Sequence, residues 1–293
     1  MHTRLLLLAI IVGLSSCGKI LPSGKTEKKA GKDAKIHPVI EGDHLVLTAD
    51  NYLECPVSFT FSWKDSSRVW GDSSLSEPMV APGQSVRHRL TSIKMRSARD
   101  SAAIMKNLNA QGMLGDPYTA RHADSVRYLL PFPPGKRYRV LQSYFGDFSH
   151  QNKRAIDFNL KEGEIVTAAR GGRVVRIKED SKKRGCSRRF VNDGNYVMIY
   201  HDDGTIASYY HLYPEGSLVE EGDHVQAGDT IGLSGNTGFS CRPHLHFVVY
   251  RPGMSGSISV PTRFKGIPDH PLKEDEYYSR PARALSNGSP AEY

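Results

Sequence analysis

The chain has 293 residues, enough for one large domain or two ordinary ones, and we expect two. Its contents of hydrophobic residues (39%) and charged residues (24%) are close to the globular average, which excludes a chain that is disordered throughout. The formal net charge of +8 fits an anionic partner, but charge alone does not distinguish nucleic acid, an anionic membrane surface and a cell-wall polymer.

The first 17 residues have the pattern of a secretion signal. Arg4 precedes an apolar run from Leu5 to Leu14, and small residues lie before Cys17. This run is too short for a transmembrane helix, which needs about 20 apolar residues. The string LSSC resembles a bacterial lipoprotein box, which predicts acylation of Cys17 and a membrane anchor, whereas the alternative is ordinary cleavage nearby.

Residues 18–36 are predicted to form a basic tether. Six lysines lie here among Gly, Ser and Ala, a composition that favours a solvated linker. Gly18 follows the lipidation cysteine, and the bacterial sorting pattern associates a residue other than Asp at this position with the outer membrane. We therefore expect an exported protein, lipid-anchored at the periplasmic face of the outer membrane of a Gram-negative host. Export argues against nucleic acid as a partner.

Residues 37–132 predict a β-sandwich-like domain. Runs such as HLVLTA and CPVSFTFSW alternate between Gly and Pro turns, and a short helix is predicted between Ser97 and Asn109. No catalytic constellation is evident in this part of the chain. Its single, scattered histidines are interpreted as surface or turn residues: His37, His44, His88 and His122.

Residues 133–268 predict a second, all-β domain. Prolines before residue 135 mark the junction, and β-branched or aromatic runs then alternate with Gly turns. The sequence DDG at residues 202–204 is a strong hairpin signal. Residues 269–293 are predicted to be a loosely ordered tail.

The strongest chemical signal is the motif PHLHFVVY at residues 243–250. In a strand, residues two apart share a face, so His244 and His246 point to one side while Leu245 and Phe247 point to the other. The motif therefore predicts one chemical face and one core face.

Three further candidates lie upstream in the same domain: His150, Asp157 and His211. A catalytic zinc takes three protein ligands of His, Asp or Glu type and leaves a fourth position for water. Two imidazoles and one carboxylate leave a net positive charge, so the ion can lower the pKa of its water towards 7. Additional histidines nearby can then carry protons.

Three segments, SHQNKRAIDF, SYYHL and GNTGFSCRPHLHF, resemble the signatures of the lysostaphin/LytM-type zinc metallo-endopeptidases. The resemblance covers about residues 138–250 and implies a lysostaphin-like domain, a duplicated hybrid motif. It also implies one zinc ion per chain and hydrolysis of peptidoglycan peptides by zinc-activated water. The alternatives are a catalytically silent domain that activates a cell-wall amidase, which predicts missing ligands, and a wall-binding module without turnover.

The resemblance implies a role for each matching residue. His150, Asp157 and His246 correspond to the zinc ligands, and His211 and His244 to the histidines that orient the attacking water and stabilise the tetrahedral intermediate. Tyr144 corresponds to an oxyanion-side phenol in some members, with Tyr209 and Tyr210 as competing candidates.

The spacing of the first two ligands departs from the commonest family form, which has three residues between them. Six residues separate His150 from Asp157 here, so a longer loop must return the imidazole to the site. His201 and His224 are alternative donors, but the first abuts the Asp-Gly turn and the second lies in a polar hairpin.

The remaining cysteines suggest one disulfide in an exported protein. Cys186 and Cys241 both fall within the second domain, and we expect them to pair. Cys55 is interpreted as a buried small apolar residue.

In a Gram-negative wall the expected substrate is the cross-link between D-Ala and diaminopimelate, whereas a Gly-Gly bridge would require a Gram-positive target.

Overall fold

The computed structural model describes residues 10–11, 33–65, 75 and 77–281. Cys17, most of the basic tether and residues 282–293 lie outside the described residues, so the predictions made for them stay predictions. The fold is mainly β, as predicted. Among the described residues, none of the helices has the length and apolarity that crossing a membrane requires.

The chain divides into two compact units. The first contains residues 1–122, 202–206 and 250–258, and the second contains residues 123–201, 207–249 and 259–293. The second unit thus begins before residue 133, where the sequence places the domain boundary. The reason is that Tyr128, Leu130 and Phe132 are buried in its core.

The first unit contains two antiparallel sheets, ordered β1-β2-β3-β6 and β5-β4-β7. A two-residue turn with Gly42 in the left-handed region joins β2 to β3, which fits a tight hairpin. Leu47 and Phe59 are buried within the two sheets, and Cys55 is also buried. The elements are β1 (Ile10–Ile11), β2 (Ala34–Glu41), β3 (His44–Asn51), β4 (Val57–Trp63), β5 (Met79–Ala81), β6 (Ser85–Lys94), α1 (Asp100–Asn107) and β7 (Leu108–Leu114).

The second unit and the segments that cross between units carry sixteen further strands and one 3-10 helix, Arg188–Asp193, among the described residues. These strands are β8 (Arg127–Tyr128), β9 (Arg137–Gln142), β10 (Ala155–Phe158), β11 (Ile165–Thr167), β12 (Gly172–Lys178), β13 (Arg184–Gly185), β14 (Tyr196–Tyr200), β15 (Ile206–Tyr210), β16 (Leu212–Ser217), β17 (His224–Val225), β18 (Thr230–Ser234), β19 (Gly238–Phe239), β20 (Leu245–Gly253), β21 (Gly256–Ser259), β22 (Arg263–Phe264) and β23 (Tyr277–Ser279).

The largest sheet has nine strands in the order β17-β12-β14-β15-β20-β10-β9-β23, with β21 paired to β20. Strands β15, β20, β10 and β9 are therefore neighbours, although they are far apart in sequence. A second, three-stranded sheet has the order β11-β18-β16. The core contains aromatic side chains that meet edge-on or tilted, among them Phe132, Phe158 and Phe247.

Residues 269–281, predicted to be loosely ordered, instead include strand β23. This strand pairs with β9, with Tyr278 opposite Tyr138, and Leu272 is buried in the core. A turn-rich segment of mixed polarity carries little local signal, and here pairing with a sheet edge orders it.

Candidate metal centre

The antiparallel register of β10 and β20 places Asp157 directly opposite His246. Opposed residues in such a pair point to the same face of the sheet. Their chain neighbours Ile156, Phe158 and Phe247 point to the opposite face and are buried in the core. The hydrophobic face thus fixes the register, and a slip by one residue would turn the carboxylate into the core.

The loop between β9 and β10 returns His150 to the same place. The imidazole is fully buried, and its Nδ1 donates to the Ser143 carbonyl over 2.8 Å. Its Nε2 lies 3.2 Å from Asp157 Oδ1 and 3.1 Å from His246 Nδ1. His246 Nδ1 lies 2.9 Å from the same carboxylate oxygen. Three donor atoms on three separate parts of the chain therefore converge.

This triangle of donors fits a zinc ion. In a tetrahedral site with bonds of about 2.0–2.2 Å, neighbouring donors lie about 3.3–3.6 Å apart. The observed separations of 2.9, 3.1 and 3.2 Å are slightly shorter, so a small expansion would accommodate the ion. The bond from His150 Nδ1 to a carbonyl leaves Nε2 facing the site, as is usual for a metal-binding histidine. Among the described residues, these three form the one group with metal-ligand spacing.

The pKa shifts of Asp157 and His246 favour binding of a cation, whereas that of His150 opposes it. Burial alone would raise the pKa of Asp157, but the charge of His244 and the hydrogen bonds from His150 and His246 hold it well below its usual range. Burial lowers the pKa of His246 despite the opposing effect of Asp157. Burial would lower the pKa of His150, but the hydrogen bond and the charge of Asp157 outweigh burial, so the pKa is raised. The site therefore presents an ionised carboxylate and a neutral His246 near pH 7.

His244 and His211 lie beside this triangle. His244 Nδ1 donates to the Arg242 carbonyl over 2.8 Å, and its Nε2 is 3.8 Å from Asp157 Oδ1. His211 Nδ1 donates to the Thr237 carbonyl over 2.7 Å, and the two imidazole centroids are 4.5 Å apart. In both rings Nδ1 donates to a carbonyl, so Nε2 is the nitrogen that remains to accept a proton or to donate one.

His211 is further distinguished by its backbone and its pKa. Its φ of +64° lies in the left-handed region, which residues other than Gly and Asn rarely adopt. Burial lowers its pKa well below the ordinary value, and the charges of His244 and His246 lower it further. His211 is thus neutral at pH 7.

The three candidate tyrosines have different surroundings in the structure. The Tyr144 hydroxyl bonds the Thr262 carbonyl at 3.0 Å and accepts the Thr262 backbone N–H at 2.6 Å. Both bonds join the phenol to Thr262, and the oxyanion role of Tyr144 stays a prediction. Tyr209 is a core residue whose hydroxyl accepts the Ala169 N–H, whereas the Tyr210 ring lies 5.8 Å from the His246 ring.

The alternative histidine donors lie elsewhere in the second unit. His201 is buried, and its Nδ1 donates to the Gly171 carbonyl over 2.8 Å. His224 is exposed on the edge strand β17. Neither belongs to the donor group found among the described residues.

The structure joins Cys186 and Cys241 in a disulfide. Cys241 lies within the loop that holds His244, because Ser240 Oγ and the Arg242 carbonyl both contact His244 Nδ1. The disulfide thus ties this loop to the segment before the 3-10 helix.

The sequence did not indicate several residues that hold the histidines and Asp157 in place. Ser143 and Thr237 act through backbone carbonyls, which leave no signature in a sequence. Gln142 contacts both the loop of His150 and Asp157. Its only sequence signal is a polar residue at the end of the alternating strand YRVLQ.

Comparison with protein families matches residues 151–257 to Peptidase family M23. An uncharacterized metalloprotease of Buchnera aphidicola is 33% identical over 43% of this chain and 32% of its own length. The peptidoglycan DD-endopeptidase ShyA of Vibrio cholerae is 30% identical over 44% of this chain and 29% of its own length. The crystallised catalytic domain of lysostaphin from Staphylococcus simulans is 30% identical, with a TM-score of 0.30, over 39% of this chain and 78% of that domain. The chain thus spans about a third of the length of the two full-length relatives, and the resemblance to lysostaphin/LytM-type peptidases is confirmed.

Proposed function

We propose that this chain, whose residues 151–257 form a peptidase family M23 domain, is an exported zinc metallo-endopeptidase that cleaves peptides of peptidoglycan. The convergence of His150, Asp157 and His246 carries the proposal, because their donor atoms lie within about 3.2 Å of one another. Two imidazoles and one carboxylate are a common donor set of catalytic zinc. The homologous peptidoglycan endopeptidase supports the choice of substrate.

The chain's own residues supply proton transfer and charge stabilisation. When bound, zinc would supply Lewis acidity and lower the pKa of water in the site. His211 and His244 each present Nε2 beside the donor triangle. One of them accepts the proton of the nucleophile, and the other stabilises the carbonyl oxygen as it gains negative charge.

The two rival functions make different demands on the site. An amidase activator that had lost catalysis would lack one or more ligands, yet all three donors are present and converge here. A wall-binding module would need no buried set of titratable groups around a common centre. Buried titratable groups with shifted pKa values are typical of active sites.

The substrate follows from the proposed location. We infer that Cys17 is lipidated and that the protein faces the periplasm from the outer membrane. An enzyme in that place meets cross-links between D-Ala and diaminopimelate, and a relative of that cleavage type, a DD-endopeptidase, matches this chain. Partitioning of cell extracts with a phase-separating detergent tests the anchor. Wild type should be found in the detergent phase, and a Cys17→Ala variant in the aqueous phase.

The central experiment is digestion of purified Gram-negative peptidoglycan by the purified full chain, with mass analysis of the soluble products. We expect cross-linked dimers to be converted to monomers, and the conversion to require Asp157 and to stop on addition of chelator. Release of sugar–peptide cleavage products only in the presence of a separate amidase would support the activator function instead. Binding to the wall without any product would support the wall-binding module.

A further inference from the structure

Gln142 is the last residue of β9 and lies opposite Asp157 in the register of β9 and β10. Its side chain is almost fully buried beneath the loop that carries His150. An amide buried at such a place must have its hydrogen-bonding groups satisfied.

All the hydrogen-bonding capacity of this amide is used. Oε1 accepts the backbone N–H groups of Phe148 (3.1 Å) and Ser149 (3.0 Å). Nε2 donates to Ser149 Oγ (2.9 Å) and to Asp157 Oδ2 (3.3 Å). A side-chain amide has two acceptor lone pairs and two donor hydrogens, so none remains. One end of the amide thus holds the loop just before His150, and the other holds the second oxygen of the Asp157 carboxylate.

Gly146 supplies the space that this arrangement needs. A Cβ atom at this position would lie 2.4 Å from Gln142 Cγ and 2.8 Å from Gln142 Oε1, so no larger residue fits unless Gln142 moves. The Gly146 carbonyl also accepts the backbone N–H of His150 over 3.2 Å. The loop can therefore close over Gln142 and bring His150 back to the donor triangle, although six residues separate it from Asp157.

We propose that Gln142 is the positioning residue of the metal centre, with two separable roles. Through Oε1 it sets the path of the loop and so the position of the His150 imidazole. Through Nε2 it occupies Asp157 Oδ2, which leaves Oδ1 as the carboxylate oxygen offered to the ion. The inference rests on the metal-binding part of the proposed function.

Two substitutions separate these roles. Gln142→Glu retains the shape and the acceptor facing Phe148 and Ser149 but replaces the donor with an oxygen that repels Asp157. Gln142→Met retains most of the volume and loses both roles. Gln226→Glu is the matched control, because Gln226 is exposed in the same unit and the substitution adds the same charge.

The test measures zinc affinity by competition with a chromophoric chelator, and coordination by the visible spectrum of the cobalt-substituted protein, on the purified full chain. We expect both Gln142 variants to bind zinc about 10- to 100-fold more weakly and to show an altered cobalt spectrum. Gln226→Glu should match wild type in both measurements. Wild-type affinity and an unchanged cobalt spectrum in Gln142→Glu would overturn the proposal. The same would follow if only the thermal stability of the metal-free variants fell.

Gly146→Ala provides a second route if Gln142→Met does not fold. It displaces the amide without removing it, and should weaken zinc binding in the same direction. These readouts need no substrate, so they separate this inference from the proposed function. A wild-type protein that binds zinc but releases no product would overturn only the peptidase, whereas one that binds no zinc would overturn both.

Discussion

The identity of each histidine nitrogen determines what each ring can do. Nε2 of His150 and Nδ1 of His246 face Asp157 Oδ1, whereas His211 and His244 use Nδ1 to bind backbone carbonyls. His244 and His246 of the motif thus differ in role: His244 immediately precedes β20, and His246 lies within it. Of these four histidines, only His150 and His246 belong to the donor triangle.

We predict that His246→Ala loses zinc and activity, whereas His244→Ala retains zinc and loses activity. The reason is that His246 supplies a donor atom and His244 lies 3.8 Å from the carboxylate without belonging to the donor group. Metal analysis after gel filtration, together with the digestion assay, measures both. Loss of zinc from the His244 variant with retention by the His246 variant would reverse the assignment.

The pKa of His211 predicts how stability depends on pH. Burial depresses it well below the ordinary value of 6.5. A histidine with a depressed folded-state pKa binds its proton more readily in the unfolded chain, so its contribution to stability is lost as pH falls below about 6.5. The raised pKa of His150 acts in the opposite direction as pH falls, and the lowered pKa of His246 acts in the same direction as that of His211.

We therefore expect the metal-free protein to melt at a lower temperature at about pH 5.5 than at about pH 7, and His211→Gln to reduce this difference. Thermal unfolding in the presence of chelator measures it. An equal pH effect in the variant and in wild type would contradict the assignment to His211.

At the scale of elements, the site depends on how two loops are held against one sheet. The loop of His150 is held by Gln142, and the loop of His244 is held by the disulfide between Cys186 and Cys241. The strands between them set the spacing of Asp157 and His246 through their register.

Replacing both disulfide cysteines with serine should lower the free energy of unfolding by about 2–4 kcal/mol. The reason is that the disulfide joins residues 55 positions apart and so restricts the unfolded chain. We also expect the turnover rate to fall while zinc content stays near that of wild type, since the three donors lie outside the loop that Cys241 tethers. Denaturant unfolding, metal analysis and kinetics test this. Unchanged turnover would show that the disulfide does not position His244.

At the scale of the whole molecule, the two units are not consecutive halves of the chain. Residues 202–206 and 250–258 belong to the first unit, within which the Arg121 N–H donates to the Asp203 carbonyl over 2.8 Å. Conversely, Tyr128, Leu130 and Phe132 lie before the predicted boundary but in the core of the second unit.

A fragment that begins at residue 133 should therefore be much less stable than one that begins at residue 123. Loss of three buried side chains of this size would cost several kcal/mol, about 2–5 kcal/mol for each large residue. Comparison of thermal unfolding for the two fragments measures the difference. Equal stability would show that residues 123–132 contribute little to the core of the second unit.

Local sequence patterns determined part of the fold and part of the candidate site. The alternation in PHLHFVVY determined that His244 and His246 share a face and that Leu245 and Phe247 enter the core, because side chains in a strand alternate. The Gly-punctuated runs likewise determined a mainly β fold. Recognition of the peptidase domain also came from short motifs, since their residue types and spacing are specific.

Only the tertiary structure decided which atoms meet. It brought His150 back across a six-residue loop, committed the Tyr144 hydroxyl to Thr262, and placed Gln142 between that loop and Asp157. These outcomes depend on the register between β9, β10 and β20 and on backbone carbonyls. Register is set by the packing of side chains that are distant in sequence, so no local pattern contains it.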